Sequence, residues 1–212
     1  MILLVAVFFG LIASLVRANL QGQKLKTIRL EHEWLVLVGI IPQLIAFQIP
    51  WTSSGLPDKF APYILVSSQI LLLIFAWLNR KQPGFWLLAA GLLLNFVVIL
   101  LNGGLMPISP ATVEKLLPAA NLNLQVGERL GTTKDILLPE AQTNLYWLSD
   151  RFTLPAWMRY RVAFSLGDIL IAIGAFWLLW SLSEKVIIDK EIEDDIHEQP
   201  QPDHVRTGQE PL

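Results

Sequence analysis

Five stretches of the chain are apolar almost without interruption, and the polar residues between them fall in short blocks marked by Gly, Pro or Asn. Met1–Val16, Trp34–Ile49, Tyr63–Leu78, Phe85–Leu101 and Val162–Leu182 each read as a helix of 16 to 21 residues. About 20 apolar helical residues match the hydrocarbon thickness of a bilayer. The pattern predicts an all-α membrane protein, a bundle of five transmembrane helices spanning about 1–16, 34–49, 63–78, 85–101 and 162–182 within a domain at 1–183. Met1–Val16 carries no positive n-region and no small-x-small cleavage site, so it reads as a span rather than a cleaved signal.

The blocks between the spans give the expected direction. Arg17–Glu33, with Arg17, Lys24, Lys26 and Arg29, and the turn Asn79–Pro83, with Arg80 and Lys81, are short and basic, whereas the loop after Pro50 offers Lys59 as its one base. Basic short loops stay in the cytoplasm, which puts the N-terminus outside and the C-terminus inside a bacterial cytoplasmic (inner) membrane. The aromatics agree, with Trp51, Phe60 and Tyr63 at one interface and Trp77, Phe85, Trp86, Trp177 and Trp180 at the other, as interfacial belts do. Residues 102–161 then form an extracytoplasmic loop subdomain between helices 4 and 5, too long for a passive connection. Within it Ser109-Pro110 caps a short helix over 111–117, residues 120–138 turn as a hairpin around Gly127 and Gly131, and Thr143–Phe152 lies on the membrane surface.

Composition narrows the classes. The chain is 53% hydrophobic and 16% charged, below the roughly 25% charge usual for soluble domains. Residues 184–212 hold 9 of its 18 acids and 3 of its 16 bases, a net of −6, and read as an acidic disordered cytoplasmic tail. Without Cys, and with His197 and His204 of its three His in that tail, the chain offers no thiolate chemistry and no His-rich intramembrane metal site. No cofactor, metal or nucleic-acid partner is expected. The bilayer is the expected partner, with a membrane-protein partner or a lipid-linked substrate beyond it.

The candidate chemistry lies around Asp168, the one charge in Val162–Leu182. Counted from Val162 it stands about 9 Å below the interface, where an unpaired carboxylate costs about 2.5–3.5 kcal/mol or more. It shares a helical stripe with Ser165, Ala172 and Ala175, so it should face protein. Gln43, Gln69 and Asn95, each mid-span, are expected to hydrogen-bond between helices. Three polar clusters should meet at the outer face: Asn102, Gly103, Gly104 and Pro107 in the NGGLMP turn, Ser149-Asp150-Arg151, and Asp168. Asp150 and Asp168 within hydrogen-bond reach would split their pKa values and form an acid–base dyad able to activate water. The alternative is structural, with Asp168 paired to Arg161 or Arg151.

Two resemblances follow. Gly10-Leu11-Ile12, Leu15-Val16-Arg17, the NGGLMP segment, Leu148-Ser149-Asp150 and Phe164-Ser165-Leu166-Gly167-Asp168 together resemble the bacterial membrane-protein family known as domain of unknown function 5317. That resemblance implies class and architecture and no activity. Ser149-Asp150-Arg151 and Phe164–Asp168 also look like the two aspartate motifs of the lipoprotein signal peptidases (signal peptidase II), which implies a hydrolase acting at the outer membrane surface. Ser165 and Gly167 stand where that motif has Asn and Ala, and the first helix lacks its D-Q-x-x-K-like segment. A structural or assembly role and, more distantly, a transporter component are the remaining readings, the latter without the internal repeat many transporters display.

Overall fold

The computed structural model describes residues 2–21, 27–49, 57–118, 125–155, 157–158 and 161–183. The tail at 184–212, Lys24, Lys26, Trp51 and Arg159 lie outside the described residues. The chain is mostly helical. Five apolar helices form: α1 (Ile2–Leu20), α2 (Trp34–Phe47), α3 (Ala61–Leu78), α4 (Phe85–Leu101) and, after the long loop, α6 (Leu166–Trp180). Two of these, α3 with its preceding turn and α6 with its following one, are long and apolar enough to cross a membrane; α1, α2 and α4 are shorter apolar helices.

The helices pack pairwise, α1 against α6, α6 against α4, α4 against α3 and α3 against α2. The tightest joint is between α4 and α6. A Cβ on Gly167 would overlap the Asn95 side chain, and one on Gly91 would lie 2.5 Å from the Gly167 carbonyl oxygen, so only glycine admits this approach. Ala172 and Ala175 are buried in the same α6 stripe. Gln43 donates to Ser68 Oγ across α2 and α3 at 2.5 Å, and Asn95 bonds across α4 and α6, as expected of mid-span amides. Gln69 is buried with its Oε1 unpaired.

The long loop has a core of its own, Ile108, Val113 and Leu137. It contains β1 (Met106–Ile108), α5 (Pro110–Leu116), β2 (Asp135–Leu137), β3 (Phe152–Thr153) and β4 (Ala163–Phe164). Ser109 caps α5 by accepting from Thr112 N at 3.2 Å. Residues 127–137 fold back antiparallel, with Gly127 N donating to Leu137 O and Leu130 N to Asp135 O at 2.8 Å each. The chain stays mostly helical, with two short strand pairings in the loop among the described residues. β1 pairs in parallel with β2 (Met106 beside Asp135), and β3 pairs antiparallel with β4 (Phe152 beside Phe164). The strands are two or three residues long, too short for a period-2 pattern to declare itself.

One correction concerns the last helix. It begins at Leu166 rather than Val162, because Ser165 and Asp168 form a capping box: Ser165 Oγ accepts from Asp168 N at 3.1 Å, and Asp168 Oδ2 accepts from Ser165 N at 3.0 Å. Asp168 thus sits in the first turn and not two turns inside. Within Thr143–Phe152, Tyr146–Leu148 makes a single 3-10 turn with Trp147 exposed, while Ser149 and Asp150 are buried.

Candidate functional site

The NGGLMP turn builds the site through its backbone. Asn102 ends α4, its amide nitrogen donating to Val98 O at 2.7 Å and to Asn144 O at 2.9 Å while its oxygen accepts from Asn144 N at 2.9 Å. Gly103 and Gly104 follow at φ 82° and 85°, conformations costly for side-chain-bearing residues, and a Cβ on Gly104 would lie 2.6 Å from Pro62. The chain so reversed becomes β1, which holds a charged residue on either side. Met106 N donates to Lys134 O at 3.0 Å, and Asp150 N donates to Pro107 O at 3.1 Å.

Lys134 Nζ stands 2.5 Å from Asp150 Oδ2 and 3.3 Å from Asp135 Oδ1. Asp150 is 2% exposed, and its second oxygen, Oδ1, has no hydrogen-bond partner. The Lys134 side chain remains 37% exposed. Both residues, with Asp135, Asp168 and Arg161, line one cavity of about 490 Å³, whose remaining wall is largely apolar, from Leu3 of α1 through Ile40, Leu44 and Phe47 of α2 to Leu117 and Phe164. One lysine therefore faces three carboxylates. Burial lifts the Asp150 carboxyl to about 7; the negative charges of Asp135 and Asp168 add to this and Lys134 opposes it. Burial would lower Lys134, yet the charges of Asp150, Asp135 and Asp168 outweigh it and hold the ammonium above its usual value.

Asp168 reaches the same cavity with its bonds committed elsewhere. Asn95 Nδ2 donates to its Oδ1 at 2.9 Å, and Ser165 Oγ donates to Asn95 Oδ1 at 2.8 Å, closing a ring with the capping box. The ion pairs expected of Asp168 do not form among the described residues. Arg161 is exposed and directs Nη1 to Lys115 O at 3.4 Å. Arg151 points away, its guanidinium stacked over Trp147 at 4.2 Å and Tyr146 at 4.8 Å, because three neighbouring rings offer a cation–π surface. Asn102, Gly103, Gly104 and Pro107 position the site without lining the cavity. Lys134 was not singled out from the sequence. Its one local signal is a Lys-Asp pair set between the Gly131 turn and apolar Ile136–Leu138.

Residues 27–180 match the model of the family of unknown function DUF5317. The chain belongs to this family. An uncharacterised protein of Thermotoga maritima is 34% identical over 136 residues, which is 63% of this chain and 71% of that protein. No solved structure matches. The family match takes in Lys134, Asp150 and Asp168 together, so the whole acidic cavity except its α1 wall lies inside it.

Proposed function

We propose that this protein is a multi-pass inner-membrane protein, all five apolar helices crossing with the N-terminus outside, and that its cavity receives the polar head of an amphiphile at the outer surface. Two features support the membrane reading. A soluble core helix is mostly covered, whereas only 28% of each long apolar window is buried here, and large side chains such as Leu37, Ile41, Ile74, Leu93 and Ile173 are exposed along the helix flanks. Such apolar area is costly in water and neutral in lipid.

The observation that carries the functional reading is one cavity lined both by a charged cluster, Asp150, Asp135, Asp168 and Lys134, and by apolar side chains of α1 and α2. A polar head group would meet the charged cluster while its chain lay along Leu3, Ile40 and Leu44. A lipid-linked molecule has that shape. The test is to purify the native chain and Asp150→Asn from membranes and compare their co-purifying amphiphiles by mass spectrometry. An amphiphile retained by the native chain and lost from a folded Asp150→Asn supports the reading; identical lipid content overturns it.

A second reading makes Asp150 and Asp168 a hydrolytic pair of the signal-peptidase-II kind. Their sharing one cavity favours it. Against it, both oxygens of Asp168 already accept bonds from Asn95 and Ser165, which suits a part in the helix cap better than a general base. Should Asp168→Asn fold normally and abolish turnover of a lipid-linked substrate, the dyad is the better description; lowered folded yield instead marks Asp168 as architecture.

A further inference from the structure

At the opposite end of the bundle, Arg17 at the end of α1 and Arg80 and Lys81 in the turn after α3 converge on a second cavity of about 760 Å³, walled by Trp86, Trp177 and Trp180. Among the described residues no Asp or Glu lines it. Arg17 lies 5.0 Å above the Trp180 ring, and Arg80 lies 4.4 Å above the Trp77 ring with Nη1 donating to Trp77 O at 3.0 Å. The rings hold two guanidiniums in place, and among the described residues the Arg80 Nη1 bond is the one side-chain hydrogen bond that either donates. None of the three cations forms an ion pair among the described residues. Glu31 and Glu33, on the loop ahead of α2, stay outside the cleft.

We infer that this cleft binds the phosphodiester of an anionic phospholipid in the inner leaflet. The inference rests on the membrane reading above and is independent of the outer cavity. Guanidinium forks match phosphate oxygens. A free anion would need no indole wall, whereas a lipid head group presents glycerol and acyl carbons to Trp86 and Trp177, both exposed. The competing anion is the chain's own segment after Ser183, with its net charge of −6.

The test uses the full chain, extracted from membranes in mild detergent and exposed to equal phosphatidylglycerol and phosphatidylcholine, with bound lipid read by native mass spectrometry. Retention of phosphatidylglycerol should exceed that of phosphatidylcholine by about tenfold or more. The preference should vanish in the double variant Arg17→Gln/Arg80→Gln and weaken in Lys81→Gln, whose exposed side chain carries no packing. Equal retention of the two lipids overturns the inference, as does displacement of the lipid by inorganic phosphate alone. So does a preference that appears only when residues 184–212 are deleted, which would identify the tail as the occupant. Alkaline carbonate extraction keeps the premises apart: a chain released from membranes sinks the membrane reading and this site together, whereas a retained chain without lipid preference sinks the site alone.

Discussion

The two ends of the bundle handle charge in opposite ways. At the end that the proposed topology places outside, three carboxylates and one lysine are drawn into the fold, with Asp150 almost wholly buried and its partner supplied by another segment of the same loop. At the end it places inside, three cations ride on a helix end and a turn, Arg17 and Arg80 stacked on tryptophan, and all three left without an acidic partner among the described residues. A charge inside the fold must be answered by the fold, or it destabilises it. A charge at the rim is free to be answered by whatever lies outside. The outer end should therefore fail by unfolding when its pairing is broken, and the inner end by losing a ligand.

The largest effect is expected from Lys134→Met, which leaves Asp150 without its cation and should lower stability by about 3–5 kcal/mol at pH 8. The double variant Lys134→Met/Asp150→Asn should regain much of this, and thermal unfolding in detergent measures both. Lack of recovery in the double variant would mean that the pair is not the source of the loss. Next comes the α4–α6 joint. Asn95→Leu opens the ring around Ser165 and Asp168, and a loss of about 2–3 kcal/mol follows from stranding buried polar groups; a change below about 0.5 kcal/mol would remove the ring as a determinant of where α6 begins.

A smaller effect is set by pH. Asp150 ionises near 3.8 when unfolded and near 7 when folded, so between those values the folded chain binds more protons and its stability falls as pH rises. Lys134, held above its usual value, contributes stability that is complete below its unfolded pKa and is lost only at more alkaline pH. The native chain should thus be less stable at pH 8 than at pH 5, and Asp150→Asn should remove that slope; an unchanged slope would assign it to another group. The smallest effect belongs to the inner end. Arg17→Gln should cost no more than about 1 kcal/mol, the size of an exposed cation–π contact, and a larger loss would erase the contrast between the two ends. Topology supplies the frame for all of these. The chain has no Cys, so Glu114→Cys and Lys81→Cys should label from opposite sides of the membrane, and labelling from one side would end the five-span reading.

The site shows where sequence reasoning stopped. Asp150 and Asp168 stood out because a charge in or beside an apolar run is expensive, which is a local fact. Arg161 and Arg151, the bases the sequence offers Asp168 as an ion-pair alternative, do not pair with it among the described residues, whereas Asp150 pairs with Lys134, 16 residues away and delivered by β1, which joins Lys134 on one edge and Asp150 on the other. Pairings of that kind depend on strand register, and three-residue strands leave no pattern to read.

What the amino-acid order determined by itself is the set of five apolar helices and their polar punctuation, because hydrophobic periodicity and helix-stop residues act over a turn or two. It also held the Ser165–Asp168 capping box, obscured by the apolar residues on either side. Tertiary structure alone decided that NGGLMP would become the strand holding the charged pair, that Asn95 would answer Asp168, and that Arg151 would turn to its aromatic neighbours. The physical reason is that desolvated charges take their partners from whatever the packed chain brings within about 3 Å, and distance along the chain does not limit that choice.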